Sequence, residues 1–135
     1  DHVINYRTDD LVAQVLALTD GRGVDRVIEV DGNANIAQDA ALVAAEGDVI
    51  VYGNGGGDVP VPFFPSVLKN LRYRFFIVFN LTPAARGAAL TDLTRQLLSG
   101  RLQHQLGPAF ALNDIAAAHR AVEAGAIGNV VLAVP

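Results

Sequence analysis

The sequence predicts an α/β domain built on a parallel sheet of right-handed βαβ units, and three observations carry that expectation. Short β-branched runs alternate with amphipathic helical spacing from His2 to Ser99. The run Val49-Ile50-Val51 is apolar without alternation, as suits a strand covered on both faces. Directly after it, Gly53, Gly55, Gly56 and Gly57 strip side chains from the point where the chain would leave the sheet, which is where open α/β sheets bind their ligands.

Taken in order, His2-Val3-Ile4-Asn5-Tyr6 reads as a short strand with almost no lead-in. Thr8 is placed to cap a helix whose first turn holds Asp9 and Asp10. Leu11, Val12, Val15, Leu16 and Leu18 then share one side, and Gly21 and Gly23 end the element. Val24 to Val30 is the next strand. Asn35 and Gln38 have the offset of a capping box for a helix from Ile36 to Ala45, which stops at Gly47. After the central strand and its glycines, Pro60, Pro62 and Pro65 fix an extended path into a helical turn from Ser66 to Leu71. Arg72 to Phe79 is aromatic and strongly β-favouring.

Thr82-Pro83 supplies a cap and a first-turn proline for a helix to about Ser99, with Gly100 beyond its end. The tail changes character. Pro108 to Leu112 is extended, Asp114 to Ala124 is an amphipathic helix ended by Gly125, and Asn129 to Val134 is a final apolar strand.

Composition narrows the function classes. A chain of 135 residues, 51% hydrophobic, suffices for one domain with a real core. A net charge of -4 with a single lysine, Lys69, leaves no basic stripe for nucleic acid. No apolar run reaches the roughly 18 residues that span a bilayer. With no cysteine, disulfides, thiolate nucleophiles and cysteine-bound metals are excluded, and a cytoplasmic setting is the default. A chain that begins at Asp1 and contains no methionine is expected to have had something upstream.

No complete catalytic constellation is present. The two serines, Ser66 and Ser99, lie outside any G-x-S-x-G, and His2, His104 and His119 have no second ligand at metal spacing. His119 falls on the inward side of its helix with Ile115, Ala118 and Val122, as a half-buried structural histidine would. The reductase pairing Tyr-x-x-x-Lys is absent, because Pro65 stands four residues before Lys69. Glu29 and Asp31 share one side of a strand end, either as paired carboxylates for acid–base work or as acids meeting the next helix and solvent. Gly53, Gly55 and Gly57 form no G-x-G-x-x-G, so the loop is not a pyrophosphate turn. It is a close-approach site for another part of a ligand, or a surface turn. Tyr6-Arg7 could stack on an adenine and hydrogen-bond a phosphate, or be a solvated strand end.

Four segments together resemble a known series: Asp1-His2-Val3-Ile4-Asn5-Tyr6-Arg7, Gly23-Val24-Asp25-Arg26-Val27-Ile28-Glu29-Val30, Gly47-Asp48-Val49-Ile50-Val51-Tyr52-Gly53-Asn54 and Ala117-Ala118-His119-Arg120. They are similar, in register and nearly end to end, to the C-terminal half of the medium-chain dehydrogenase/reductase superfamily, in particular its zinc-independent NADPH:quinone oxidoreductases related to zeta-crystallin. The resemblance implies a partial Rossmann domain, a doubly wound parallel sheet lacking its first βαβ unit, over residues 1–104. It implies that residues 105–135 return toward a GroES-like catalytic domain.

For the site, the resemblance implies NADPH, with Tyr6 against the adenosine 2′-phosphate and Asn35 opening the helix beneath the cofactor. Tyr52, Gly53, Asn54 and Gly55 would line the nicotinamide side, with Phe75, Phe76 and Ile77 along the next strand. No residue of the chain would carry proton chemistry or a metal, because hydride passes directly to a small-molecule substrate, a quinone or an enone. The family often has Gly-Lys before its last strand, where Gly128-Asn129 stands here. The implied dimer is a homodimer through the strand at 73–79. The reading of another class is a non-catalytic half-domain that associates through the same aromatic strand edge.

Overall fold

A computed structural model describes residues 2–135 as two compact units, the first ending at Leu81 and the second starting at Thr82. The first unit runs α1 (Leu11–Leu18), β1 (Val24–Glu29), α2 (Gly32–Leu42), β2 (Val43–Val51), α3 (Phe63–Leu68) and β3 (Arg72–Phe75). Its strands pair in parallel in the order β1-β2-β3, so the expected central strand is central and the three carboxyl ends share one edge. Ile36, Val43, Val49 and Val51 form the buried core, with Val24, Val27, Val59, Leu71 and Tyr73 packed against them.

The sheet is pinned along its amino side by charge. Asp48 on β2 accepts from Arg26 Nη2 on β1 at 3.0 Å and from Arg72 Nε on β3 at 2.8 Å. Those two bonds, Arg72's first, hold the Asp48 carboxyl below its ordinary range. Because the arginines are largely exposed, the bridges set strand register more than they stabilise. Between Val24↔Val43 and Arg26↔Asp48 the pairing shifts, and β2 bulges with Glu46 at φ +60. At the other end of α2, Lys69 Nζ donates to the carbonyls of Ala40, Ala41 and Val43 at 3.0, 2.9 and 2.9 Å, satisfying acceptors the helix leaves open.

Several expectations are corrected. His2 to Tyr6 is not a strand: Val3 is fully exposed, and among the described residues no strand lies beside it to pair with, so β propensity alone does not extend a ladder. Asp10, not Thr8, caps α1, accepting from Ala13 N at 3.0 Å, while Thr8 Oγ1 donates to Asp9. Asn35 does not open α2, which begins at Gly32, and no capping box forms with Gln38. The helix ends at Leu42, and Ala44 and Ala45 belong to β2. The turn expected from Ser66 begins earlier, at Phe63, because Pro62 supplies an extended residue ahead of the first turn. The strand expected to reach Phe79 stops at Phe75, and Val78–Asn80 is a 3-10 turn.

The second unit contains α4 (Pro83–Leu98), β4 (Leu106–Ala111), α5 (Ile115–Glu123) and β5 (Asn129–Ala133). Thr82 caps α4 as expected, with Oγ1 accepting from Ala85 N at 3.2 Å. β4 and β5 pair in parallel, and α5 crosses between them and packs on both. His119 is exposed rather than half-buried, lining a shallow depression with Ile115, Val122 and Leu132. Among the described residues no helix is long and apolar enough to cross a membrane.

Candidate functional site

The site is the carboxyl edge of the three-stranded sheet, where β1 and β2 deliver loops that interlock. β1 ends on Glu29, only 7% exposed, whose Oε1 accepts from the Asp31 backbone N–H and from Asn35 Nδ2 at 3.1 Å. Glu29 thus shapes the turn into α2 rather than facing a substrate. Beside it, on the inner side of α2, Asp39 is 3% exposed and its Oδ2 has no hydrogen-bond partner. Burial first, and then the neighbouring Glu29 carboxyl, push Asp39 up to about 7. Of the two readings of Glu29 and Asp31, acids meeting the next helix is the one seen, and the buried carboxyl beside Glu29 is Asp39. Its signal was an acid at the apolar spacing of Ile36, Ala40 and Val43.

Asp31 occupies the N-cap position of α2 without capping it. Its Oδ1 accepts instead from Gly55 N at 2.8 Å, across to the glycine loop after β2. Gly32 N donates to Gly53 O at 3.2 Å, and Asn33 N to Asn54 Oδ1 at 3.0 Å. Asn33 Nδ2 reaches Asp58 O at 2.6 Å, and Asn54 Nδ2 closes on Gly57 O at 2.7 Å. Gly53 runs so close to the end of β1 that a Cβ there would lie 2.1 Å from Val30 O. At the tip, Gly56 has φ +146 with nothing near its absent side chain, leaving backbone open to a ligand.

Of the expected residues, Gly53, Asn54 and Gly55 are brought together in this loop, and Asn35 lies beneath it through Glu29. Tyr52 is half exposed, its ring 6.2 Å from that of Phe76 at 38°. Phe75 and Ile77 flank Phe76 and are likewise exposed, and Phe76 N donates to Val51 O at 3.1 Å. Tyr6 is 71% exposed and meets Arg7, whose guanidinium stands 5.8 Å from the ring centre.

A bare glycine tip at a sheet's carboxyl edge, with the Tyr52 and Phe76 rings exposed at the strand ends, fits a nucleotide cofactor approaching backbone. Against this geometry, a family model described as zinc-binding dehydrogenase matches residues 1–132. The chain belongs to the zinc-binding dehydrogenase family. It is 28% identical to a quinone oxidoreductase of Lama guanicoe, over 96% of this chain and 40% of that protein. An NAD-dependent alcohol dehydrogenase structure superposes with a TM-score of 0.83 and 26% identity, covering all of this chain and 38% of the other. A mycobacterial protein complexed with NADPH gives 0.78 at 25% identity, covering 98% of this chain and 43% of that one.

The zinc-binding dehydrogenase assignment bears out the resemblance to the C-terminal part of the medium-chain dehydrogenases and the partial Rossmann fold. These relatives are oxidoreductases, and the chain spans about 40% of the curated quinone oxidoreductases it matches. Among the described residues no three histidines or acids gather as a metal ion would need.

Proposed function

We propose that the chain is the nucleotide-binding part of a cytoplasmic, zinc-independent oxidoreductase that uses NADPH to reduce a quinone or an activated double bond. The observation that carries this reading is the open glycine loop at the carboxyl edge, tied back to the α2 turn by four hydrogen bonds while its tip at Gly56 stays open. Bound NADPH supplies the hydride. The chain's own residues bind and orient: Gly53, Asn54 and Gly55 present backbone to the nicotinamide side, Tyr52 and Phe76 wall it, and Asn35 steadies the helix below. Tyr6, with Arg7 beside it, receives the adenosine 2′-phosphate. Residues 105–135 return toward a catalytic domain.

In the full-length protein, NADPH turnover with a quinone should survive a zinc chelator. Tyr6→Ala should lower the preference for NADPH over NADH about tenfold, the worth of one hydrogen bond to a charged group. No NADPH oxidation with quinones or enones would sink the functional reading, and equal changes in both affinities would sink the role of Tyr6.

A second reading rests on β3, an edge strand of its sheet, where Phe75 is exposed, as are Phe76 and Ile77 just beyond its end. We propose that this edge pairs two copies into a homodimer. It is shorter than the strand at 73–79 that the sequence suggests. Sedimentation should show a dimer that Phe75→Lys weakens, and a monomer at high concentration would count against the pairing.

A further inference from the structure

An aspartate at a helix N-cap ordinarily accepts from an N–H of the first turn, worth about 1 kcal/mol. Asp31 makes no such bond. Its carboxylate crosses 24 residues of chain to hold the Gly55 N–H at 2.8 Å, a charge-assisted bond. The fit is close on both sides: a Cβ at Gly55 would lie 2.8 Å from Asp31 Oδ2 and 3.0 Å from Oδ1. Any side chain at residue 55 would have to displace the Asp31 carboxylate.

We propose that Asp31 is a positioning residue for cofactor binding, holding the glycine loop in its receiving shape before the cofactor arrives. The proposal rests on the reading of this loop as the cofactor site. A loop carrying glycine at 53, 55, 56 and 57 has more backbone freedom to lose than one of ordinary residues. Gly53 and Asn54 are fixed by Gly32 and Asn33, but Gly55 is the last residue before the bare tip, and its N–H is anchored by Asp31. Ordering the tip in advance removes that entropy from the binding step.

The test uses the full-length protein, with Asp31→Ala and Asp31→Asn beside it. Asparagine keeps an acceptor oxygen in the same place, so it should rescue. Titration with NADPH should show the dissociation constant about tenfold higher in Asp31→Ala and within threefold of the original in Asp31→Asn. Amide exchange in the unliganded protein should quicken at Gly55 and the tip in Asp31→Ala, with the core of β2 unchanged. Equal Gly55 protection in the original and Asp31→Ala overturns the tether. An asparagine variant as weak as the alanine overturns positioning by hydrogen bonding. A protein with the exchange pattern expected here that binds no NADPH overturns the functional reading and leaves the tether standing.

Discussion

Gly53→Ala should cost about 3 kcal/mol of stability, at the upper end of what overpacking a tight site does. The added Cβ would sit 2.1 Å from Val30 O and 3.0 Å from Val30 C, inside any permitted contact. Neither side can yield cheaply. Val30 directly follows β1, and Gly53 is held from the other direction by the bond from Gly32 N to its own carbonyl. For a domain whose whole stability is about 5–15 kcal/mol, such a loss moves the urea midpoint far down. Gly87→Ala is the matching control, since nothing lies within 4 Å of its absent side chain and it sits inside α4. There the change should raise stability by about 0.5–1 kcal/mol through helix propensity. A Gly53→Ala protein with an unchanged midpoint would show that the strand ends are not in close contact.

Asp39→Asn should stabilise the protein increasingly as pH rises. The folded carboxyl is raised to about 7, first by burial and then by Glu29, while in the unfolded chain it titrates near its ordinary value of about 3.9. The folded state therefore holds the extra proton between those values. The contribution of Asp39 to stability is greatest below about pH 4, falls as pH climbs toward 7, and levels off above, where a second buried charge must stand beside Glu29. Asparagine has the same outline and no proton to lose. Its advantage should be small at pH 4 and grow to on the order of 4 kcal/mol at pH 8, the free energy of a shift of about three pKa units. Urea unfolding of both proteins at the two pH values measures it. Parallel pH profiles would show that Asp39 does not ionise against burial.

Much of this was legible in the sequence wherever a segment has its partner inside the chain. Val24 to Glu29 and Val49 to Val51 announce themselves by branching and become the paired core of the sheet. Thr82-Pro83 and Gly100 bracket α4 with local chemistry alone. The misreadings fall where a local pattern met a distant constraint. His2 to Tyr6 has strand composition but no strand beside it among the described residues, and Tyr73 to Phe79 is paired only as far as β2 extends, so the aromatic run turns away after Phe75. Asn35 and Gln38 imitate a cap, yet the helix opens four residues earlier, at Gly32, after a turn that Glu29 fixes at Asp31.

The glycine loop was visible as composition, and its function was suggested by where it falls. Its shape was not. Every bond from the α2 turn that gives the loop a fixed form spans 21 to 25 residues, so no spacing rule points to it. Asp39 could have been noticed as the one acid on an apolar helix face, but only its nearness to Glu29 makes it a charged liability rather than a solvated side chain.

Asp48, shared between arginines on both flanking strands, has a further consequence. It sews the strand order together at the margin opposite the loops. Loop composition can then drift, lengthen or be grafted without putting strand order at risk, because the two properties are written in different residues at different ends of the sheet. A lineage exploring new substrates, or an engineer doing so, would find room to vary at the open tip around Gly56, while Gly53 and the Asp48 bridges keep the two ends of the sheet in place.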